Sequence, residues 1–413
     1  MVCMTDAPKI LSSTTGADFL ATLPTLTGFT VNDSILIVPF HGKRTMGVMR
    51  VDLPPDDDRR QHDKISALAL AALSRLSGCD GVVFAVYADQ TFPVAFARWE
   101  GLISALERRC EDAGFTVKDA FCVAADGWAS WYEQDPAFDG HPPAEIDRSP
   151  LAEQAARVRG GRELPAQGQA AQLPPADPWL AEALPEAVDD LEFGGRERDA
   201  FGGYRPAAPL DAIALIERVL AREPEDVPLP DLARLAVLSV TAARRDEMTV
   251  QIAFGRKAGR RLRADSDRLH ALMRRTGKSM DELVAAEMPH ARGTALGELG
   301  GLFTGESRRE PKVKRVRRAI VLLGRIAVHL TPDQRPDLLC MLSWLHWALG
   351  SASAAAHHAE SALRVAPDHR MARTLLAMFS SGRLPEWVYA HHGVPTPATD
   401  AFADELAEAM ARP

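Results

Sequence analysis

Cysteine is scarce in this 413-residue chain. The five present, Cys3, Cys79, Cys110, Cys122 and Cys340, are odd in number, widely scattered and contain no C-x-x-C pair. A secreted disulfide framework is denser and even in count, so the thiols are expected to be reduced and the protein cytoplasmic. Long apolar runs are missing as well. The longest, such as 319–330, are short and carry Arg325 and His329, whereas a spanning helix needs about 20 apolar residues. No membrane association is therefore expected. Met1 to Asp6 has neither a basic nor an apolar region, and Cys3 lacks the apolar stretch of a lipoprotein signal, so no signal peptide is expected. Aromatic residues make up only 6%, while Ala and Leu abound, which favours helix-rich packing. With 46% hydrophobic and 25% charged residues the chain has a globular composition. Its length suggests two or three domains.

Residues 1–135 alternate between the two hydrophobic periods. Runs 34–40 (SILIVPF) and 46–53 read as strands joined by a hairpin at His41-Gly42-Lys43-Arg44. Ile65, Leu68, Ala69, Ala72, Leu73 and Leu76 recur at helical spacing up to Ser77-Gly78. Residues 82–88 are continuously apolar, as a strand buried on both faces requires. Trp99, Leu102, Ile103, Leu106 and Cys110 mark a second helix. Further strands follow at 119–125 and, after Asp126-Gly127, at 128–132. A hairpin followed by β-α-β-α-β predicts an α/β domain with a mixed, partly parallel sheet covered by helices.

Residues 136–210 read as a Pro/Gly/Ala-rich connector with one short helix at 151–159. Residues 211–413 read as an all-α domain. Its helices are expected at 211–222, 231–254, 265–276, 280–289, 312–330, 336–350, 353–365, 369–380 and 399–411. Within it Leu342, Gly350, Ala355, Ala362-Leu363 and Pro367 have the spacing of one tetratricopeptide-like helix pair, where small residues let helices approach closely. There is no clean second copy, so the pair must pack on its neighbours. Trp344 and Trp347 are expected in the core.

Three stretches carry a family resemblance. The first runs from Ala17-Asp18-Phe19-Leu20 through Leu23-Pro24, Gly28-Phe29 and Asn32-Asp33-Ser34-Ile35 to Arg50-Val51-Asp52-Leu53. The second is Cys122 with Asp126-Gly127-Trp128 and Ser130-Trp131-Tyr132. The third spans Leu342-Ser343-Trp344-Leu345, Gly350, Ala355, Ala359, Glu360, Ala362-Leu363, Pro367 and Arg370-Met371-Ala372. Together they resemble the actinobacterial family known as domain of unknown function 4192, over most of the chain and least in 165–330. The resemblance implies no activity. The family's further cysteines after the Trp/Tyr segment have no counterpart in 133–143, which argues against a metal or disulfide in that loop.

Asp52, Asp89 and Asp126 each end, or closely follow, a predicted strand. Ligands bind at that edge of an open α/β sheet, and grouped carboxylates there could hold a divalent cation. The simpler reading is that Asp serves turns and helix N-caps. If the first two strands are antiparallel, Asp52 is expected at the edge opposite the other two. Asp33-Ser34 precedes a strand instead of sitting on a strand-to-helix elbow, so it reads as a turn and not as a nucleophile.

Arg275-Thr276-Gly277-Lys278-Ser279 ends like a phosphate loop, but Leu272 stands where that loop needs Gly, and Ser279 with Glu282 has capping-box spacing. The same place resembles a helix-turn-helix, yet its second helix would bring Asp281, Glu282 and Glu287 toward phosphates. Between positions 244 and 318 there are 19 Lys+Arg against 10 Asp+Glu. The densest cluster, Arg308, Arg309, Lys312, Lys314, Arg315, Arg317 and Arg318, is a candidate polyanion-binding surface, weighed against a solvated helix face. Six of the twelve histidines lie after position 340 without metal-ligand spacing, and are expected to be exposed or capping.

No cofactor and no metal site are expected. The leading expectation is a non-enzymatic interaction or regulatory protein that engages a protein partner through its helical domain. The alternative is a small-ligand-binding protein or metal-dependent enzyme using the sheet edge near Asp89 and Asp126. Nucleic-acid association through 308–318 is the weakest expectation.

Overall fold

A computed structural model describes residues 13, 15–134, 136–158, 161, 163–194, 196–198, 204–206, 211–287, 295–380 and 384–390. These fall into two compact units, one ending at Ala170 and the other beginning at Ala171. The predicted helix at 399–411 lies outside the described residues.

The first unit is built on a six-stranded mixed sheet. Strands β1 (Ser34–His41), β2 (Arg44–Thr45) and β3 (Met49–Asp52) form the expected hairpin, with β2 and β3 both antiparallel to β1. On its other side β1 pairs antiparallel with β4 (Gly81–Tyr87); β4 pairs in parallel with β5 (Thr116–Val123), and β5 antiparallel with β6 (Trp128–Ser130). Period-two alternation sorts the side chains. Ile35, Ile37, Val82, Phe84 and Val86 pack under α2 (Arg59–Leu73) and α3 (Phe92–Asp112), the two crossover helices. Leu36, Val38, Val83, Ala85 and Phe121 pack against Phe19, Leu20 and Leu23 of α1 (Gly16–Thr27). Helix α1 is absent from the sequence-based expectation because Pro24 interrupts its pattern. Thr15 caps its start, and the αL residue Gly28 (φ 82°) ends it. Helices α4 (Ala144–Asp147) and α5 (Pro150–Val158) pack on α1, and Ser149 Oγ donates to the buried Asp18 carboxylate at 2.6 Å.

The second unit is helical. A 17-residue helix, α6 (Pro178–Gly194), occupies the stretch read as connector. Its prolines conceal a regular apolar face of Leu180, Leu184, Ala187, Val188 and Leu191, and Pro178 sits at the first helical position, where a missing N–H costs nothing. A two-stranded ribbon, β7 (Arg196–Arg198) with β8 (Tyr204–Pro206), precedes α7 (Ala212–Leu220). The single helix expected at 231–254 is two, α8 (Leu229–Val240) and α9 (Ala242–Phe254), broken at Thr241, which is extended (ψ 114°). Helices α10 (Arg256–Thr276), α11 (Met280–Glu287), α12 (Ala295–Phe303) and α13 (Val313–His329) follow. Last come α14 (Pro336–Ala348), α15 (Ala352–Val365), α16 (Arg370–Ser380) and α17 (Glu386–Ala390).

Helix α14 is the centre of this unit. From Leu338 to Ala348 every residue is buried, and α8, α9, α13, α15 and α16 pack on it. Trp344, fully buried, stacks on Phe303 (centroids 5.5 Å apart, planes at 24°) and meets Phe254, Trp347 and Trp387. Both α14 tryptophans are core residues, as expected. No helix among the described residues is long and apolar enough to cross a membrane.

Candidate functional site

The three candidate aspartates come to one edge of the sheet. Because β4 as well as β3 is antiparallel to β1, strands β3 and β4 run the same way, and Ser34 is in register with Asp52 on one side and Tyr87 on the other. Asp52 therefore stands at the same edge as Asp89 and Asp126. The expectation of an opposite edge failed because it allowed for the β1–β3 pairing and not for β1 lying between β3 and β4.

A polar network around Ser34 lines part of this edge. Arg50, whose side chain is only 10% exposed, donates from Nη1 to Asp52 Oδ1 (2.5 Å) and to Ser34 Oγ (2.7 Å). Ser34 is fully buried and donates to the Asn32 carbonyl (2.7 Å). Gln167 reaches in from a distant loop, its Oε1 accepting from Asn32 N–H (2.8 Å) and its Nε2 lying 3.3 Å from Ser34 Oγ. Asp33 is the one described non-glycine residue with positive φ (37°), and its carboxylate accepts from the backbone N–H of Asp89 (3.2 Å). Ser34 is thus a turn and anchoring residue, with no base beside its hydroxyl among the described residues.

Asp126 caps a helix. Thr91, the N-cap residue of α3, makes no side-chain cap, and Asp126 Oδ1 instead accepts from the first helical N–H, that of Phe92, at 2.7 Å. Gly127 must follow, since a Cβ there would run into the backbone oxygen of Asp139. Asp126→Ala is expected to lower stability by about 1 kcal/mol, the usual value of an N-cap side chain. Thermal melting of the purified variant measures this, and an unchanged melting temperature would show that the cap contributes nothing. Among the described residues no three His, Cys, Asp or Glu side chains form a group able to hold a metal ion.

Three of the seven cations of the basic segment, Arg309, Arg315 and Arg318, bond inward. Arg315 forms a bidentate pair with Glu217 (2.9 and 3.0 Å) and donates to the carbonyls of Ile252 and Gln251 near the end of α9. Arg318 donates to the Leu220 carbonyl closing α7 (3.1 Å) and to Glu223 (2.6 Å). Arg309 donates to the Phe254 carbonyl (2.9 Å) with its guanidinium 5.7 Å from that ring. The backbone of Lys312 donates to Ala253 (2.7 Å). These cations sit where helices α7 and α9 leave carbonyls without intrahelical partners and where the helix dipole is negative. Burial raises the Glu217 carboxyl, but the hydrogen bonds from Arg315 and Gln251 outweigh it and hold the group below its usual range. Arg308, Arg309, Lys312, Lys314 and Arg317 are exposed, and Arg315 and Arg318 are half-buried.

The remaining motifs resolve as local structure. Gly277 (φ 69°) ends α10, and Ser279 and Glu282 form a reciprocal capping box at the start of α11 (3.2 and 2.7 Å). Arg268 of α10 holds Glu287 of α11 through two bonds of 2.7 Å. The histidines depart from expectation: His357 is exposed and His369 caps α16, but His346 and His358 are buried, 6% and 3% exposed. His391 and His392 lie outside the described residues. Cys79, Cys110, Cys122 and Cys340 are free thiols.

One constellation was not legible in the sequence. Cys340 Sγ lies 3.5 Å from His369 Nδ1, and His369 Nε2 lies 3.2 Å from Asp337 Oδ1, in the order of a nucleophile, base and orienting acid. Its chemistry is the reverse of an activated thiol. Cys340 is fully buried, and burial pushes its thiol up to about 12. His369 Nδ1 accepts from Ala372 N–H (3.3 Å), which puts the ring proton on Nε2, facing Asp337. Asp337 also accepts from the buried Arg245 (2.6 Å), which pairs with Asp246 (3.1 Å) as well. The cluster locks α9, α14 and α16 together.

Fold and site together define a protein of two units, a mixed α/β sheet unit and a helical unit, each secured by charged side chains bonded to backbone and to one another. The chain belongs to the family described as Domain of unknown function (DUF4192), whose match covers residues 17–285. The third stretch of resemblance, at 342–372, lies beyond that match. No curated protein and no solved structure matches the chain.

Proposed function

We propose that this is a non-enzymatic interaction protein that binds a protein partner through the outer face of its last helices. The observation that supports this reading best is the α14–α15–α16 stack. Ala355, Ala359 and Ala362 are fully buried, Gly350 (φ 82°) makes the turn, and Ser343 Oγ donates to the Ala355 carbonyl (2.7 Å). Small residues at a helix seam are how tetratricopeptide-like pairs close, and stacked helix pairs commonly present recognition faces. Helix α14 is covered on all sides, so the face on offer is that of α15 and α16, where Glu360, Arg364, Arg373 and Ala377 are exposed.

Site-specific photo-crosslinking in cells tests this. A benzophenone amino acid at position 360, 364 or 377 is expected to yield a discrete adduct with one cellular protein, and one at position 112, on the first unit, is expected not to. No adduct from any of the three positions, or the same adducts from position 112, would remove the support for this face.

A further inference from the structure

Two histidines from neighbouring helices meet inside the helical unit. His346 of α14 and His358 of α15 are 6% and 3% exposed, with ring centroids 5.2 Å apart and planes at 32°. The Nε2 of His346 is buried and has no hydrogen-bond partner among the described residues. Leaving such a group unpaired costs about 1–3 kcal/mol, a penalty that a leucine or phenylalanine of similar size would avoid. The surroundings hold the pair in place, since Ser343, one turn before His346, is bonded across the same helix pair and the flanking Ala355 and Ala359 are fully buried.

The chemistry of two neutral imidazoles narrows what this arrangement suits. Burial lowers the pKa of His346 to about 4, and burial, with His346 and His357 nearby, lowers that of His358 to about 3. Both rings are therefore uncharged near neutral pH, the form in which imidazole ligates metal without first losing a proton. Imidazole nitrogen selects borderline first-row cations, whereas Mg²⁺ and Ca²⁺ favour oxygen ligands. The exposed ring of His357 stands beside the pair, its centroid 5.9 Å from that of His358.

We propose that His346 and His358 form a two-histidine binding site for a borderline transition-metal cation such as Cu²⁺, Ni²⁺ or Zn²⁺, joining α14 to α15. The ion would clamp the helix pair, and the site stands independently of the partner-binding reading above.

The test uses the full chain, stripped with a chelator and dialysed, then melted with each metal salt. Cu²⁺ and Ni²⁺ are expected to raise the melting temperature by several degrees at about a hundredfold excess over the dissociation constant, with Mg²⁺ giving no shift. The shift should persist in a His357→Asn, His391→Asn, His392→Asn variant, which keeps the buried pair. It should be lost in His346→Asn and in His358→Asn, with folding of each verified by circular dichroism. Because these two substitutions are buried, the Cu²⁺ electron paramagnetic resonance spectrum of the triple variant provides a second reading, with hyperfine structure from two nitrogens expected. No shift with any transition metal, a shift that survives loss of both His346 and His358, or a triple variant without the two-nitrogen signal would each overturn the proposal.

Discussion

Replacing Arg245 with methionine is expected to destabilise the protein by about 3–5 kcal/mol, the range for removing one partner of a buried ion pair. The Arg245 side chain is 9% exposed and bonds two carboxylates, Asp246 at 3.1 Å and Asp337 at 2.6 Å. Methionine fills much of the volume but leaves two carboxylates close together, that of Asp337 mostly buried and that of Asp246 partly exposed. The penalty should depend on pH. Burial already raises the Asp246 carboxyl in the wild type, against the lowering influence of Arg245. A carboxyl whose folded pKa exceeds its unfolded value loses stability as pH rises through that interval. Removing Arg245 widens the interval, so the deficit should be largest near neutral pH and should narrow on acidification. Urea unfolding of both proteins at pH 7 and pH 5 measures this. A deficit below about 1 kcal/mol at pH 7 would mean that the cluster is not a structural lock.

Truncating Trp344 to alanine should cost about 3–5 kcal/mol as well, but by a different route and without that pH dependence. Trp344 is fully buried among four aromatic rings, and its indole N–H donates to the Phe303 carbonyl at 2.8 Å. Alanine leaves a cavity bounded by Phe254, Phe303, Trp347 and Trp387 and an unpaired carbonyl. Trp344→Phe retains most of the packing and should cost markedly less. Chemical denaturation followed by far-ultraviolet circular dichroism separates the two. Equal losses for Ala and Phe would point to the hydrogen bond, not the volume, as the dominant contribution.

The local patterns of the sequence carried much of the fold. In β1, alternating Ile35, Leu36, Ile37 and Val38 feed the two faces of the sheet in turn, which is why the run reads as a strand covered on both sides. Where a helix carries proline, in its interior as at Pro24 of α1 and Pro185 of α6 or at its first position as at Pro178, the same reading sees a break or a linker. The break at Thr241 has the opposite cause: no glycine or proline marks it, so the period runs through.

The candidate site was less legible because its bonds join residues far apart in the chain. Asp126 looks like a turn residue, and only the fold brings it to the Phe92 N–H. Gln167 lies in a low-complexity stretch and gives no sign of its contact with Ser34, 133 residues away. The charge run at 308–318 was visible, but its meaning rested on Glu217, Glu223 and carbonyls of helices nearly a hundred residues earlier. His346 and His358 show the same limit, since adjacent letters do not reveal which side of α15 faces α14.

Conspicuous charges of this chain, Arg245, Arg309, Arg315 and Arg318 among them, hold its fold together. Arg315 and Arg318 give the most direct measurement, because a polyanion surface and an internal tie respond oppositely when they are changed. In an Arg315→Gln, Arg318→Gln variant we expect a stability loss of about 1–2 kcal/mol, the value of charge-assisted hydrogen bonds reduced for partial exposure. Retention on heparin at low salt should equal that of the wild type. An unchanged melting temperature together with heparin retention that collapses in the variant, and that falls steeply with salt in the wild type, would contradict the account.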